Sequence, residues 1–253
     1  MSRKVTIKDV AKEAEVSIAT VSYVLNNRND QKISEKTRKK VLQVVALLNY
    51  SPNNNAQVMR SALTGNIAVI SVSPNSLYQA ETINFLDALS IKSEERGRRL
   101  IYNYYKGAET IVNADAAICL NFSLENFKAL GAENSIPLIL ADGYTDEPWC
   151  FQVNRDYKDI KGRLAVLKPE NVALKERILV SHPDAVFISA IAELITAPDD
   201  LITPQKTLFE LLSSFGKKAT YSDEQFIARI AALFDCIDKA LSHAEYAQHS
   251  FEV

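Results

Sequence analysis

The chain has 253 residues, of which 47% are hydrophobic and 24% charged, with a formal net charge of -2. Its length and composition indicate a folded protein of about two domains. The longest apolar run, near Ile67, is far shorter than the roughly 18 residues that span a bilayer, and the polar start of the chain has no secretory signal. We therefore expect a cytoplasmic protein without a membrane partner.

The charges are unevenly divided along the chain. Residues 1–62 carry 11 Lys or Arg against 5 Asp or Glu, whereas the remainder carries 18 against 26. A basic segment of this kind is typical of contact with phosphates, and an acidic remainder would be repelled by the same polyanion. A randomly solvated surface is the alternative that charge alone leaves open.

The use of glycine, histidine and cysteine argues against several enzyme classes. The first of seven glycines is Gly65, and neither GxGxxG nor a P-loop can be written. The three histidines form no HExxH, and no GxSxG presents a nucleophile. Because Cys119, Cys150 and Cys236 form no CxxC pair, we expect reduced thiols in a core. The sequence predicts a protein that is not an enzyme and holds no metal or cofactor.

Three short helices are predicted in the first fifty residues. Thr6 begins the first, with Asp9 three places later as in a capping box. Ser17 can cap a second helix that ends at Leu25, and Ser34 precedes a third whose first turns hold four cations. Cations in the first turns of a helix are unfavourable next to the positive end of its dipole. Their presence here indicates that phosphates lie close by and offset this cost. This order indicates a helix-turn-helix module, with a protein-binding three-helix module as the alternative.

The same segment resembles the headpiece of the LacI/GalR (lactose-repressor) family. The matching runs are VTIKDVAKEA (5–14), VSIATVS (16–22), VLN (24–26), ISEKTRKKV (33–41) and LNYSPN (48–53). The resemblance covers about sixty consecutive residues and agrees with the charge asymmetry. It implies a transcriptional regulator, a repressor, that binds a palindromic double-stranded DNA operator as a homodimer.

The resemblance also implies which side chains approach DNA. On the second helix Ile18, Ala19 and Tyr23 would face base edges, with thymine methyl groups as plausible partners. The other implied DNA contacts of the head, several of them to phosphates, are Thr6, Ser17, Thr20, Ser22, Asn26 and Thr37. The chain departs from the family pattern at Glu15, where the turn often has Gly, and at Tyr23, where Arg is frequent.

Residues 51–63 are expected to form a hinge helix that becomes ordered only on DNA, because about three turns are too few for a stable isolated helix. In the resembling family this segment pairs with its dimer mate in the minor groove. The implied contacts are Asn53, Ala56 and Met59, with Met59 in the place of a Leu that wedges into a base step. An ordinary linker is the alternative, given Pro52 and three asparagines.

From Asn66 onward, short apolar runs alternate with amphipathic helices, which implies a parallel sheet with crossover helices. The predicted strands are 67–72, 100–104, 116–120 and 137–141, and the predicted helices are 81–96 and 124–130. In the first of these helices, the residues expected to face inward are Ile83, Leu86, Leu89 and Ile91.

This part resembles the family's periplasmic-binding-protein-like effector domain. The expected organisation is an all-α helix-turn-helix headpiece (1–50), a hinge helix (51–63) and a truncated α/β domain with a Rossmann-type parallel sheet (64–253). Family members are longer, and the resemblance localises the missing length to the second subdomain. The resemblance implies a Gly-His turn and a further strand after 161–167; neither is found in the sequence, which proceeds almost directly to 182–187.

A ligand of such a sheet usually lies beyond the carboxyl ends of the strands. This rule places Ser73 and Asp142 at the crevice, and the resemblance of 153–157 to the family's effector domain adds Arg155 and Asp156 as candidate effector contacts. An ion pair or a loop cap is the alternative for these lone charges.

The last long helix is predicted from a capping box at 222–225 and an apolar stripe. The stripe consists of Phe226, Ile230, Leu233, Phe234, Ile237 and Leu241. Such a stripe is an intramolecular core, a cover for a sheet exposed by the shortening, or a dimer surface. The sequence does not decide between them.

Two modes of control stay open for the regulator. The body could bind a sugar or another small metabolite, or it could be a dimerisation platform controlled by abundance or by a protein partner. From a different class, a metabolite-binding or adaptor protein that does not act on DNA is the alternative. If the protein is a DNA-binding regulator, we expect it to act at the nucleoid.

Overall fold

The computed structural model describes residues 5–25, 32–48, 50, 63–73, 75–107, 109–147, 149–242 and 250–252. Over these residues the chain forms an amino-terminal head of three helices and a body of two lobes, each built on a parallel sheet. Four of the expected DNA contacts, Asn26, Asn53, Ala56 and Met59, lie outside the described residues, as does most of the expected hinge.

The head consists of α1 (Ile7–Glu13), α2 (Ile18–Leu25) and α3 (Glu35–Leu47). The predicted starts of all three helices are confirmed. Asp9 Oδ2 accepts the backbone N–H of Thr6 at 2.8 Å. The hydroxyls of Ser17 and Ser34 each accept the amide three residues on, at 3.0 and 3.1 Å. These side chains pair amides that the first turn of a helix leaves without backbone partners.

The elements of the body follow in chain order. Its strands are β1 (Asn66–Ser71), β2 (Arg99–Tyr104), β3 (Ala116–Leu120), β4 (Leu138–Ala141), β5 (Phe151–Asn154), β6 (Arg163–Leu167), β7 (Val186–Ile188), β8 (Leu201–Thr203), β9 (Ala219–Tyr221) and β10 (Ser250–Glu252). Its helices are α4 (Ser76–Glu95), α5 (Leu124–Glu133), α6 (Val172–Ser181), α7 (Ile191–Thr196), α8 (Lys206–Ser214) and α9 (Phe226–Ser242).

The first lobe is a six-stranded parallel sheet in the order β10-β5-β4-β3-β1-β2. All four strands predicted from the sequence belong to it, with bounds shifted by one residue at most. Every residue of β3 and β4 is buried, as expected for strands that helices cover on both faces. The alternation of apolar runs and helical patterns thus predicted the sheet type correctly.

The inward face of α4 was predicted incorrectly at two positions. Ile83 and Ile91 are 58% and 65% exposed, whereas Phe85 and Leu89 are buried. The helix begins at Ser76, five residues before the predicted start. The longer helix places its core stripe along residues 78, 82, 85, 89 and 93, and Ile83 and Ile91 lie outside it.

The second lobe is a four-stranded parallel sheet in the order β7-β6-β8-β9. The stretches 161–167 and 182–187, which the sequence places almost directly after one another, contribute β6 and the start of β7, and α6 connects the two strands. Leu174 and Ile178 of α6 pack on Leu164 and Val166 of β6 and provide the cover that a crossover helix must supply.

Helix α4 contributes to the cores of both lobes. Leu77 and Tyr78, in its first turn, are buried in the core of the second lobe with Leu167 and Leu208. Phe85, two turns later, belongs to the core of the first lobe. A small lobe buries little apolar surface by itself, so the borrowed turn of α4 stabilises it.

The apolar stripe of α9 is intramolecular core. Ile230, Leu233, Phe234 and Ile237 are buried in the same cluster as residues of β1, β3, β4 and β5. The stripe therefore covers one face of the first sheet, which answers the question that the sequence left open.

The three cysteines are free and buried, as the sequence predicts. In the part of the chain that the structure describes, we find no helix that combines the length and apolar character needed to cross a membrane.

Candidate functional site

Helix α2 presents an uncharged outer surface. Val21 and Val24 are buried against the rest of the head. Ile18 is 44% exposed, Ala19 is exposed and Tyr23 is half-buried. The surface offers apolar groups and a phenol hydroxyl, which suit thymine methyl groups and single hydrogen bonds rather than a bidentate contact with guanine.

The described hydroxyls expected at phosphates lie at or near helix starts. Thr6 and Ser17 are exposed immediately before α1 and α2. Thr20 Oγ1 lies 2.9 Å from Ser17 Oγ, and Thr37 Oγ1 lies 2.8 Å from Ser34 Oγ. Ser22 lies half-buried on α2. The amides and positive dipole end of a helix favour an anion, so these hydroxyls stand where phosphates could bind.

Protein carboxylates already contact three of the four cations at the start of α3. Lys39 Nζ is 2.7 Å from Glu133 Oε2, and Lys40 Nζ is 2.8 Å from Glu15 Oε2. Arg38 has a longer contact of 4.0 Å with a glutamate of its own helix. These carboxylates offset part of the unfavourable interaction between the cations and the dipole of α3. The sequence alone predicts that phosphates play this role.

A second candidate site is a cleft of about 90 Å³ between the two lobes. By the same measure one water needs roughly 10–15 Å³, so the cleft has room for a small polar molecule or a group of waters. The carboxyl ends of β3, β4 and β6 open into it, where ligands of parallel sheets usually bind. Its polar lining includes Glu81, Asp142, Arg155, Tyr157, Gln205 and Arg229.

Two ion pairs lie within this lining. Arg155 donates to Asp223 and Arg229 donates to Asp142. The pairs do not use every polar atom, because Arg229 Nε and Asp142 Oδ1 are buried without a hydrogen-bond partner among the described residues. A buried donor and a buried acceptor left unpaired are costly, so they favour water or a ligand that can pair with both.

Burial also perturbs two acidic groups of the cleft. It raises the pKa of the Glu81 carboxyl, although hydrogen bonds from Thr207 and the charge of Arg229 act in the opposite direction. Burial and the charge of Asp142 raise the pKa of Tyr157 to about 12. Tyr157 therefore remains a neutral hydroxyl at physiological pH.

The four residues predicted from the sequence as effector contacts do not lie together. Asp142 and Arg155 line the cleft. Asp156 lines a separate surface depression and accepts the amide of Lys158 at 3.0 Å, as a loop cap does. Ser73 lies outside the cleft lining, with its hydroxyl 3.3 Å from that of Ser71.

Glu81 and Arg229 of the cleft were not predicted from the sequence, although Arg229 had a usable signal. It lies three residues after Phe226 and four before Leu233, which places a charge beside the apolar stripe of α9. A charge in that position rarely enters a core unless it has a partner. Within the described residues, no group of three or more His, Cys, Asp or Glu could hold a metal ion.

The chain thus joins a basic helix-turn-helix head to two parallel-sheet lobes with a cleft between them. Residues 6–53 match the family model described as bacterial regulatory proteins, lacI family. The head of the chain is thus similar to the lacI family of bacterial regulatory proteins, and the matched segment ends at residue 53.

Similar proteins include one named as a transcriptional regulator and one named as a control protein. The HTH-type transcriptional regulator MalR of Clostridium butyricum is 30% identical over 146 residues, which cover 53% of this chain and 42% of MalR. Catabolite control protein A of Staphylococcus aureus (strain MRSA252) is 28% identical over 186 residues, 67% of this chain and 55% of that protein. The chain thus spans about half the length of these curated relatives.

Among solved structures, the lac repressor dimer bound to operator and the anti-inducer ONPF has a TM-score of 0.49 to this chain. The two are 16% identical, and the match covers 99% of this chain and 96% of the lac repressor chain.

Proposed function

We propose that this chain is a sequence-specific DNA-binding regulator, a repressor, that binds a palindromic double-stranded operator as a homodimer with α2 in the major groove. The observation that carries the proposal is the capped three-helix head, whose second helix exposes an uncharged surface between helix starts lined with hydroxyls. The match of residues 6–53 to the family model supports it.

The proposed roles follow the position of each residue in the head. Ile18, Ala19 and Tyr23 read base edges. The remaining head contacts are Thr6, Ser17, Thr20, Ser22, Asn26 and Thr37, most of them to phosphates. In the hinge, Asn53, Ala56 and Met59 reach the minor groove. On this division residues 1–50 are the headpiece, 51–63 the hinge and 64–253 the body, and the protein acts in the cytoplasm at the nucleoid.

The primary test is selection of DNA from a random pool by the full chain at low ionic strength. We expect enrichment of a twofold-symmetric motif, and affinity for it that falls steeply with salt as counterions are released. If no symmetric motif is enriched, or if affinity hardly changes with salt, the proposal fails.

The reading role of α2 is tested by Tyr23→Ala. We expect a relaxed preference at one operator base pair, because the phenol is lost from a base edge. Thr37→Val is the matched control, since loss of a phosphate contact weakens all sequences about equally. A uniform loss of affinity across all sequences with Tyr23→Ala would contradict the assignment.

The proposed role of the hinge is tested by Met59→Ala, which should reduce DNA bending in a fluorescence assay.

A second function, control by a small metabolite such as a sugar, is favoured by the unpaired Arg229 Nε and Asp142 Oδ1 in the cleft. A thermal-shift screen of sugars, sugar phosphates and nucleobases tests it, because a ligand that binds only the folded chain raises the melting temperature. Arg229→Met should abolish any such shift. If no compound stabilises the wild type, the body is a dimerisation platform controlled by abundance or by a protein partner.

A further inference from the structure

One face of α3 joins the head to the first lobe. Lys39, Gln43 and Leu47 lie four residues apart on the helix and therefore share this face. Opposite Lys39 and Gln43 lies the carboxyl-terminal end of α5, and opposite Leu47 lies α9. We call the contact of these three residues with residues 131–134 and with α9 the head clamp.

Gln43 is the centre of the head clamp. Its side chain is 4% exposed, and Nε2 donates to the carbonyl oxygens of both Gly131 and Asn134. The last carbonyls of a helix lack partners within that helix, and a primary amide has two N–H groups to offer them. The head therefore adds a donor to the carbonyl of Gly131, which also accepts the amide of Asn134 at 3.3 Å, and supplies one to the carbonyl of Asn134.

The other two residues, Lys39 and Leu47, make contacts with the first lobe on either side of Gln43. Lys39 Nζ contacts Glu133 Oε2 at 2.7 Å, with both side chains partly exposed. Leu47, at the far end of α3, is buried in the core cluster of the first lobe with Phe234 and Ile237 of α9. Burial of an apolar side chain is favourable, so the contact involves more than surface charge.

The head clamp leaves the reading helix uncovered. Ile18 and Ala19 of α2 remain exposed while α3 is held against α5. The head can therefore face a DNA duplex and stay attached to the body at the same time.

We propose that Lys39, Gln43 and Leu47 are positioning residues, which hold each head in one orientation on its lobe so that the paired bodies set the distance and angle between the two α2 helices. The inference rests on the proposed function. Half-site spacing mirrors protein geometry in dimeric helix-turn-helix proteins. One added base pair moves a half-site by about 3.4 Å and rotates it by about 35°, so a rigidly held head should tolerate it poorly.

The first experiment measures whether the clamp persists on DNA. A carbodiimide joins a lysine amine to a contacting carboxylate as an amide, with loss of water. The chain offers three pairs for comparison: Lys39 with Glu133 across the clamp at 2.7 Å, Lys40 with Glu15 inside the head at 2.8 Å, and Lys128 with Glu147 inside the body at 3.0 Å. Mass spectrometry of the digested chain quantifies each link.

We expect the clamp link to form as readily with operator bound as without it. In Gln43→Glu, which sets a carboxylate against two carbonyl oxygens, its yield should fall about fivefold or more while the two internal links persist. The internal links report that head and body remain folded. If operator suppresses the clamp link alone, the contact belongs to a DNA-free state and the proposal is wrong.

The second experiment measures spacing selectivity with the full chain. The selected operator is compared with versions that have one base pair inserted or removed at its centre. We expect the wild type to discriminate about tenfold, and Gln43→Glu and Gln43→Ala to lose most of this preference. Glu125→Gln, an exposed residue on the same helix α5, is the matched control and should behave as wild type.

The outcomes separate the two proposals. If the wild type selects no symmetric operator, the proposed function fails before the clamp is tested. If it selects one and the Gln43 variants keep the full spacing preference, the function stands and the positioning role of the clamp is refuted.

Discussion

Arg155 donates to Asp223 inside the interlobe cleft, and the two side chains are only 4% and 2% exposed. Arg155 follows β5 of the first lobe, whereas Asp223 lies in the link that leads from β9 of the second lobe to α9. The pair therefore fixes the point at which the chain returns from one lobe to the other. A buried pair adds little net stability over apolar residues, but a single buried charge without its partner is costly.

Asp223→Ala should lower the free energy of unfolding by about 3–5 kcal/mol, because it leaves the Arg155 guanidinium buried without a counterion. The double variant Arg155→Met with Asp223→Leu should recover most of this loss, since neither charge remains. Urea unfolding followed by circular dichroism measures both. A loss below about 1 kcal/mol in Asp223→Ala would show that the guanidinium finds another partner.

Glu15 is held in a left-handed conformation, with φ at 53°, in the turn between α1 and α2. A residue with a side chain in this left-handed conformation makes the folded chain less stable than glycine does, by about 1 kcal/mol. Glu15→Gly should therefore stabilise the chain by about 0.5–1 kcal/mol, reduced by loss of the exposed contact with Lys40.

Glu15→Ala is the control for this prediction, because it removes the carboxylate without freeing the backbone. Thermal unfolding of the three proteins separates the two contributions. If Gly and Ala variants have the same melting temperature, the positive φ carries no strain at this turn.

Gly131 lies in α5, where replacement of glycine by alanine would ordinarily stabilise by about 0.5–1 kcal/mol. Here an added Cβ would lie 2.3 Å from Trp149 Cη2. The indole has little freedom to move, since it stacks on Phe127 at 5.2 Å and donates to Glu147 at 2.6 Å. We therefore expect Gly131→Ala to destabilise the chain by about 1–3 kcal/mol.

The measurement is a double-mutant cycle with Trp149→Phe, whose smaller ring leaves room for the methyl group. In that background Gly131→Ala should cost much less than in the wild type. Equal costs in both backgrounds would exclude the steric explanation.

Periodicity and helix starts were sufficient to predict four of the six described strands of the first sheet and the three helices of the head. Thr6, Ser17 and Ser34 begin the helices they were expected to begin, since capping depends on residues a few positions apart. Ile83 and Ile91 were misplaced because α4 packs against two lobes, and the direction of its buried stripe depends on both. A sequence window contains only the helix itself.

The polar residues of the cleft and of the head clamp were harder to predict for the same reason. Gln43 is buried because the carbonyls of Gly131 and Asn134 lie opposite it, almost ninety positions away. Arg229 and Asp142 likewise meet only in the folded chain. Local pattern predicts which residues are apolar enough to be buried, but the partners that let a polar side chain be buried are set by tertiary structure.

Glu81 should make stability depend on pH. Because burial raises the pKa of its carboxyl above the ordinary 4.5, the folded chain binds this proton more tightly than the unfolded chain does. The stability that the protonated Glu81 carboxyl contributes is fully present below pH 4.5 and is lost as the pH rises through the pKa of this carboxyl in the folded chain.

Glu81→Gln keeps an oxygen to accept the amide of Thr207 and stays neutral throughout, so this variant should become progressively more stable than wild type as the pH is raised. Urea midpoints between about pH 4 and 8 measure the difference, and Glu94→Gln, an exposed carboxylate of the same helix, corrects for the lost charge. A difference between Glu81→Gln and wild type that stays constant over this range would contradict the raised pKa.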